Sequence, residues 1–195
     1  MTYTSPALAF ALALGAAAAP ALADEPVYPP YFQQYVYGAV DIGQSRAPDA
    51  CPAGAAGCSN TSAVARAGLG YQFVQNFGAE ISYGYYGKQS LGMAGATALG
   101  DWKASGFELA GVGTLPLTGG FALTGKIGIA PTTYEQTGAG RSVTSTNLAW
   151  GLGVRYGFSQ KVALRAQYED LGNVGDLASG QTHIRLITAG VVLGF

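Results

Sequence analysis

Apolar and polar residues alternate along most of the chain after residue 23, and this pattern constrains the fold more than any other feature. In the segment 66–73, the odd positions are apolar or aromatic and the even positions are polar or glycine. Side chains of a β-strand point alternately to its two faces, whereas an amphipathic helix repeats about every 3.6 residues. The alternation therefore predicts β-strands whose two faces differ chemically.

The pattern recurs in eight segments, which cover residues 35–44, 64–73, 77–87, 103–115, 121–131, 145–157, 161–170 and 183–195. Short connections (74–76, 116–120, 158–161) alternate with long ones (45–63, 88–102, 132–144, 171–182). Tilted strands of roughly 10 residues, with short turns at one end and long loops at the other, are typical of outer-membrane barrels. We predict an all-β, eight-stranded antiparallel up-and-down transmembrane β-barrel.

The composition fits a membrane barrel and excludes several other classes of protein. The chain is 49% hydrophobic and its mean hydropathy is +0.21, which excludes disorder. Beyond residue 23, no apolar stretch approaches the ~20 residues that a membrane-spanning helix needs. The net charge of -1 leaves no broad basic surface for nucleic acid. One histidine and two cysteines are too few for a typical zinc site, so we expect no metal and no cofactor.

The first 23 residues are predicted to be a secretory signal peptide. Residues 7–19 form an uncharged run, and Ala21-Leu22-Ala23 fits the small-x-small cleavage rule. Cleavage before Asp24 would leave one outer-membrane β-barrel domain, residues 24–195. The alternative is an uncleaved membrane anchor.

Two cysteines, Cys51 and Cys58, lie in the segment 47–63, which is rich in proline, glycine and alanine. Export from the cytoplasm permits disulfide formation. We therefore predict a small loop-closing disulfide between them, and the alternative is two free thiols.

The charged residues indicate which face of the strands is inside. Alternation alone also fits a soluble barrel with an apolar interior. Here, however, the face opposite the aromatic residues carries four acidic and four basic residues with many glycines between them. An eight-stranded barrel has room inside only for side chains, and buried charges must be paired. We predict a lumen charge network of Asp41, Arg66, Glu80, Glu108, Lys126, Arg155, Arg165 and Glu169.

The apolar faces suit lipid because they carry no charge in mid-strand, and Lys103 and Arg185 lie near the long-loop ends. Aromatic residues are predicted to form two girdles at the membrane surfaces. The short-turn girdle comprises Tyr35, Phe73, Phe77, Phe121, Tyr156, Phe158 and Phe195, and the long-loop girdle comprises Tyr85, Trp102, Tyr134 and Tyr168. The alternative is an aromatic-rich sandwich core.

The segments 37–43, 68–73, 77–84, 155–158 and 164–170 resemble the OmpA-like/OmpX-like family of small outer-membrane barrels, and the resemblance covers residues 24–195. It implies a bacterial outer-membrane location with long loops extracellular and both mature termini periplasmic. It also implies that Phe195 is read by the barrel-assembly machinery. The family's gate is a strand-three Glu that exchanges between a strand-seven Arg and a strand-four Lys. Glu80 and Arg165 match the first two, but strand four offers Glu108 and strand six offers Arg155. Because no peptidoglycan-binding domain follows strand eight, tethering to the cell wall by that route is not expected.

The sequence predicts a non-enzymatic structural protein with a plugged, charge-balanced lumen and at most weak porin-like ion conductance. One alternative is an adhesin that acts through its extracellular loops, above all 45–63. Another is a lipid A-modifying enzyme, because some barrels of similar size hydrolyse lipid A with His, Ser and Glu. His183 is the single histidine and lies near Ser179, but without that motif. We expect a monomer whose partners are outer-membrane lipids and the barrel-assembly machinery, without nucleic acid.

Overall fold

A computed structural model of the chain describes residues 34–47, 59–90, 93–94, 97–98, 101–137, 141–159, 161–176 and 180–195. The predicted signal peptide, with Ala21, Ala23 and the cleavage point at Asp24, lies outside these residues. So do Cys51 and Cys58, so their disulfide stays a prediction.

Eight strands form one closed antiparallel barrel in the described part of the chain. They are β1 (Tyr35–Arg46), β2 (Thr61–Val74), β3 (Phe77–Ser90), β4 (Asp101–Pro116), β5 (Phe121–Thr137), β6 (Arg141–Gly157), β7 (Val162–Asp176) and β8 (Gly180–Gly194). Each strand pairs with its neighbours in the sequence, and β8 closes the barrel by pairing with β1. Two short strands, Met93–Ala94 and Thr97–Ala98, pair with each other between β3 and β4. The predicted fold class is confirmed.

The prediction of long loops at 132–144 and 171–182 is wrong, because the strands on either side continue into these segments. β5 runs to Thr137 and β6 begins at Arg141, so most of 132–144 is paired sheet. Likewise, β7 runs to Asp176 and β8 begins at Gly180 within the predicted loop 171–182. Threonines support this extension, and the Thr133 and Thr144 hydroxyls lie 2.9 Å apart across β5 and β6. Strands that extend beyond the bilayer need no apolar face, so alternation of hydropathy does not mark them.

The outer wall of the barrel is apolar, and it is formed by the apolar positions of the alternating sequence pattern. Val40, Ile42, Leu69, Ile127 and Ile187 are among the exposed residues that point outwards. Among the described side chains, two aromatic residues assigned to the girdles face inwards instead, and the side chain of Trp102 lies outside the described part. Tyr35 contacts the ring of Tyr37, and Tyr134 packs against the buried residues of the lumen. Among the described residues, no helix is long and apolar enough to cross a membrane.

The lumen is filled in three layers. The long-loop end holds an apolar cluster, which we call the apolar layer, of Ala47, Val64, Tyr86, Ala104, Ala130, Ala149, Leu171, Ile184 and Leu186. The short-turn end holds a smaller cluster of Tyr37, Ala39, Ala163 and Val192. Buried charged residues lie between the two clusters. The sequence predicted the charged layer, but not the apolar layer above it.

Candidate functional site in the barrel lumen

Seven buried charged side chains from six strands meet in the middle of the lumen, and we call their ion-paired arrangement the charge ring. Their side chains are between 0% and 7% exposed. Strands β6 and β8 contribute glycines at this level rather than charges. The members are Asp41, Arg66, Glu80, Glu108, Lys126, Arg165 and Glu169.

Arg165 holds one side of the ring together. It donates from Nε to Asp41 Oδ1 at 2.7 Å and from Nη2 to Asp41 Oδ2 at 2.6 Å. It also donates from Nη1 to Glu80 Oε2 at 2.6 Å. Such a planar two-point contact with a carboxylate is the strongest geometry available to an arginine. Arg165 therefore joins β7 to β1 and β3 across the barrel.

Arg66 and Lys126 complete the ring on the other side. Arg66 Nε lies 3.3 Å from Asp41 Oδ2, and its Nη1 lies 3.3 Å from Glu108 Oε2. Lys126 Nζ lies 3.0 Å from Glu108 Oε2 and 3.4 Å from Glu80 Oε1. The contacts thus close a continuous circuit in which acidic and basic side chains alternate.

Glu169 forms a bridge across the circuit. It accepts hydrogen bonds from both Nη1 and Nη2 of Arg66, the latter at 2.7 Å, and from Lys126 Nζ at 3.2 Å. Gln167 accepts a further bond from Arg66 Nη2 at 3.1 Å. The charge ring therefore contains four carboxylates and three cations, for a formal charge of -1.

Glycines between the charged residues make these contacts possible. Gly190 is the register partner of both Asp41 on β1 and Arg165 on β7. Gly151 is likewise the partner of both Lys126 on β5 and Glu169 on β7. A Cβ atom added to Gly151 would lie 2.6 Å from the Glu169 Cγ, too close for a real contact. In both cases, a glycine on the intervening strand lies between the two members of an ion pair and leaves space for their side chains.

Arg155 was predicted to be part of the lumen network, but it lies outside the charge ring. It faces the lumen nearer the short turns, where its Nη1 lies 3.4 Å from the Tyr35 hydroxyl. Its register partner on β7 is Arg165, but the carboxylates that Arg165 contacts belong to β1 and β3 rather than to strands beside Arg155. No carboxylate among the described residues lies within salt-bridge distance of Arg155. Position on the inward face places a residue in the lumen, but the height in the barrel decides its partner.

The second cation beside Glu80 comes from an unexpected strand. Glu80 lies between Arg165 and Lys126, and Lys126 belongs to β5 rather than to strand four. The family resemblance implies a lysine on strand four, where this chain has Glu108, but the predicted lumen network already includes Lys126. The position of Lys126 on the inward face of its strand was the available signal.

His183 lies outside the lumen at the long-loop end, and both of its ring nitrogens have partners. Nε2 lies 2.7 Å from each carboxylate oxygen of Asp170, and Nδ1 lies 2.9 Å from the Asn173 Oδ1. Neither nitrogen contacts a serine hydroxyl in the described part of the chain. Within the same residues, no group of three or more His, Cys, Asp or Glu side chains could hold a metal ion.

Phe195 lies at the short-turn end of the outer wall. The residue is 76% exposed, and its backbone nitrogen donates to the Val36 carbonyl at 2.9 Å. The last residue therefore continues the β1–β8 seam that closes the barrel.

Comparisons with known proteins agree with this architecture. The family model of the OmpA-like transmembrane domain matches residues 33–195. The chain belongs to this family. Among curated proteins, no sequence matches the chain. The predicted resemblance is therefore confirmed at the level of the family.

Solved structures show the same fold at low sequence identity. Neisserial surface protein A is 15% identical, with a TM-score of 0.61 over 84% of this chain and 100% of that one. The outer membrane protein OprG of Pseudomonas aeruginosa is 14% identical, with a TM-score of 0.58 over 84% and 97%. Ail, the attachment invasion locus protein of Yersinia pestis, is 17% identical, with a TM-score of 0.55 over 84% and 100%, in a complex with the heparin analogue sucrose octasulfate. The chain is an outer-membrane β-barrel of this type.

Proposed function

We propose that this OmpA-like barrel is a structural protein of the bacterial outer membrane whose lumen is plugged and conducts ions weakly at most. The observation that carries the proposal is the charge ring, which spans the lumen with contacts of 2.6 to 3.4 Å. The apolar layer lies above it. An ion that crosses the barrel has to replace contacts of the ring and then pass an apolar constriction, which resists wetting.

The same proposal places the long-loop end outside the cell and both mature termini in the periplasm. It takes lipids of the outer membrane as the surroundings of the apolar wall and the barrel-assembly machinery as the reader of Phe195. The exposed aromatic ring of Phe195 at the closing seam supports that role. We further propose a monomeric, non-enzymatic protein without a cofactor.

Planar-bilayer recording of the purified barrel tests the plug. We expect the wild type to show little steady current and to exclude large solutes. Glu80→Ala and Arg165→Ala each remove a member of the charge ring and should raise the current of small ions. Lys103→Ala is the matched control, because Lys103 forms an exposed ion pair with Glu135 at 2.7 Å on the outside of the barrel. Steady passage of large solutes by the wild type would refute a plugged lumen.

A second candidate function is a surface interaction through the long-loop end. Exposed ion pairs line this rim, with Lys88 Nζ 2.8 Å from Asp101 Oδ2 and Lys103 Nζ 2.7 Å from Glu135 Oε2. The complex of Ail with a heparin analogue shows that a protein of this fold can carry a polyanion. Deletion of residues 48–58 leaves β1 and β2 intact, and it should abolish adhesion to host cells while the folded barrel still migrates faster than the heated one in a detergent gel. Unchanged adhesion would exclude this loop as the binding element.

A further inference from the structure

Two arginines lie side by side on the outer wall of the barrel. The pairing of β1 with β8 places Arg46 directly opposite Arg185. Register partners in an antiparallel pair have Cα atoms about 4.5–5.5 Å apart. Both side chains are exposed, Arg185 to 50%. Both lie on the outward face, two register pairs beyond Gln44 and Ile187.

The described carboxylates neutralise the positive charge of this pair only in part. Like charges directly opposite each other destabilise a strand pair. The nearest carboxylate oxygen to Arg185 belongs to Asp170, 3.8 Å from its Nε, and that carboxylate also contacts His183 at 2.7 Å. Within the described ranges, no carboxylate lies within salt-bridge distance of Arg46. Among the described residues, the site therefore keeps at least one positive charge without a carboxylate in salt-bridge distance.

Exposed aromatic rings lie in the same register row as Arg185 and next to it. Arg185 is the register partner of Asp170 on β7, which is the partner of Trp150 on β6. The Trp150 ring centroid is 6.0 Å from that of Tyr168, and both rings are exposed on the outer wall. Tryptophan and tyrosine collect at the membrane–water interface, where lipid headgroups lie. The exposed Ile187 continues the wall on the bilayer side of the pair.

We propose that Arg46 and Arg185 bind the phosphate group of a membrane lipid in the leaflet that faces the long-loop end. The guanidinium group matches phosphate with two parallel hydrogen bonds, and two such groups can hold one phosphate from both sides. A lipid is the occupant because the apolar wall beside Ile187 receives its acyl chains while the arginines receive its headgroup. The inference rests on the proposed function, since it requires this wall to lie in a bilayer.

Fluorescence quenching by brominated lipids tests the site directly. The chain has two tryptophans, Trp102 and Trp150, so the Trp102→Phe background leaves one reporter, two strands from Arg185. The full chain is folded into phosphatidylcholine vesicles that contain a minor, equal fraction of either brominated phosphatidic acid or brominated phosphatidylcholine. We expect phosphatidic acid to be enriched about fivefold at Trp150, the factor that one basic side chain near a lipid surface typically contributes.

Paired variants identify the residues responsible. Arg46→Gln with Arg185→Gln should abolish the enrichment. Lys88→Gln with Lys103→Gln removes the same charge from the same rim on strands β3 and β4, and it should leave the enrichment unchanged. If both double variants reduce it equally, general surface charge explains the effect and the site is refuted. Inorganic phosphate should reduce the enrichment more than sodium chloride of equal ionic strength does, because it competes for the guanidinium groups. An equal effect of the two salts would show that general charge screening explains the enrichment and would refute the site.

Folding is measured in the same samples by the heat-dependent shift in a detergent gel. A chain that folds into the vesicles but is quenched equally by both lipids refutes the headgroup site and leaves the proposed function intact. A chain that stays outside the bilayer refutes the proposed function and the headgroup site together.

Discussion

Replacing Gly190 with alanine tests whether the charge ring needs the space that glycine leaves at this position. Arg165 reaches Asp41 across Gly190 with contacts of 2.6 and 2.7 Å. An added Cβ would lie 2.9 Å from the Asp41 Cα and would overlap the Val40 carbonyl oxygen and the Asp41 carboxylate. Much of that surface is backbone, so rotation of a side chain cannot relieve the overlap. Crowding of this kind costs about 1–3 kcal/mol. Breaking the buried ion pair would raise the cost to about 3–5 kcal/mol.

Gly111 is the matched control, because it points outwards from β4 and an added Cβ would have no neighbour closer than the Ile127 carbonyl oxygen at 3.9 Å. Alanine in a strand interior is favoured over glycine by about 0.5–1 kcal/mol, so Gly111→Ala should be neutral or stabilising. We therefore expect the free energies of unfolding of Gly190→Ala and Gly111→Ala to differ by about 2–4 kcal/mol. Urea titration of the barrel in vesicles, followed by the folded band in a detergent gel, measures this difference. Equal stability of the two variants would refute the role assigned to Gly190.

Four other substitutions, in three experiments, test the remaining features. Asp41→Asn should lower the free energy of unfolding by about 3 kcal/mol, because Arg165 then keeps only Glu80 as a partner. Glu169→Gln should lower it by only about 1 kcal/mol, because each cation of the charge ring still contacts two carboxylates. Equal losses in the same urea titration would contradict these contacts. Leu171→Ala should raise the small-ion current in a planar bilayer by opening the apolar layer, at a cost in stability of about 2–5 kcal/mol, and a current like that of the wild type would show that the apolar layer is not a barrier. Beyond the membrane, a hydrogen bond and the charge of Asp101 raise the pKa of Lys88, so the pair contributes below that raised pKa and is lost as the pH rises through it. Asp101→Asn should lower the Lys88 pKa in an NMR titration of labelled lysines, and an unchanged pKa would exclude Asp101 as the cause.

The strands and their faces could be predicted from the sequence because one physical rule governs both. A residue that points to lipid is apolar, its neighbours point into the lumen, and a shift of one residue would reverse every side chain. Leu69 and Ile81 therefore face outwards, and Arg66 and Glu80 face inwards, as their positions in the alternating pattern predicted. The rule stops applying where strands leave the bilayer, so the paired segments around Thr133 and Thr144 were predicted as loops.

Partner choice inside the lumen could not be predicted in the same way. It depends on the tilt and stagger of the strands, which set the height of each inward residue and do not show in the alternation of one strand. Arg155 and Arg165 both face inwards on neighbouring strands, yet only Arg165 lies among the carboxylates. Lys126 joins the charge ring because Gly151 separates it from Glu169 on the next strand but one. The glycines carry this information, since each marks a row in which charges on either side can meet.

The balance of charge in the sequence is not reproduced in the charge ring itself, and the difference has a physical consequence. Four carboxylates share three cations there, while the eighth charge, on Arg155, lies nearer the short turns. A buried carboxylate without a cation would be costly, so each cation serves two or three carboxylates at once. Sharing makes the contacts depend on one another, because displacing one cation removes a contact from every carboxylate that it binds. In the proposed plug, a passing ion would disturb the whole circuit when it opens one pair, so we expect this cooperativity, rather than the number of ion pairs, to set the barrier to ions.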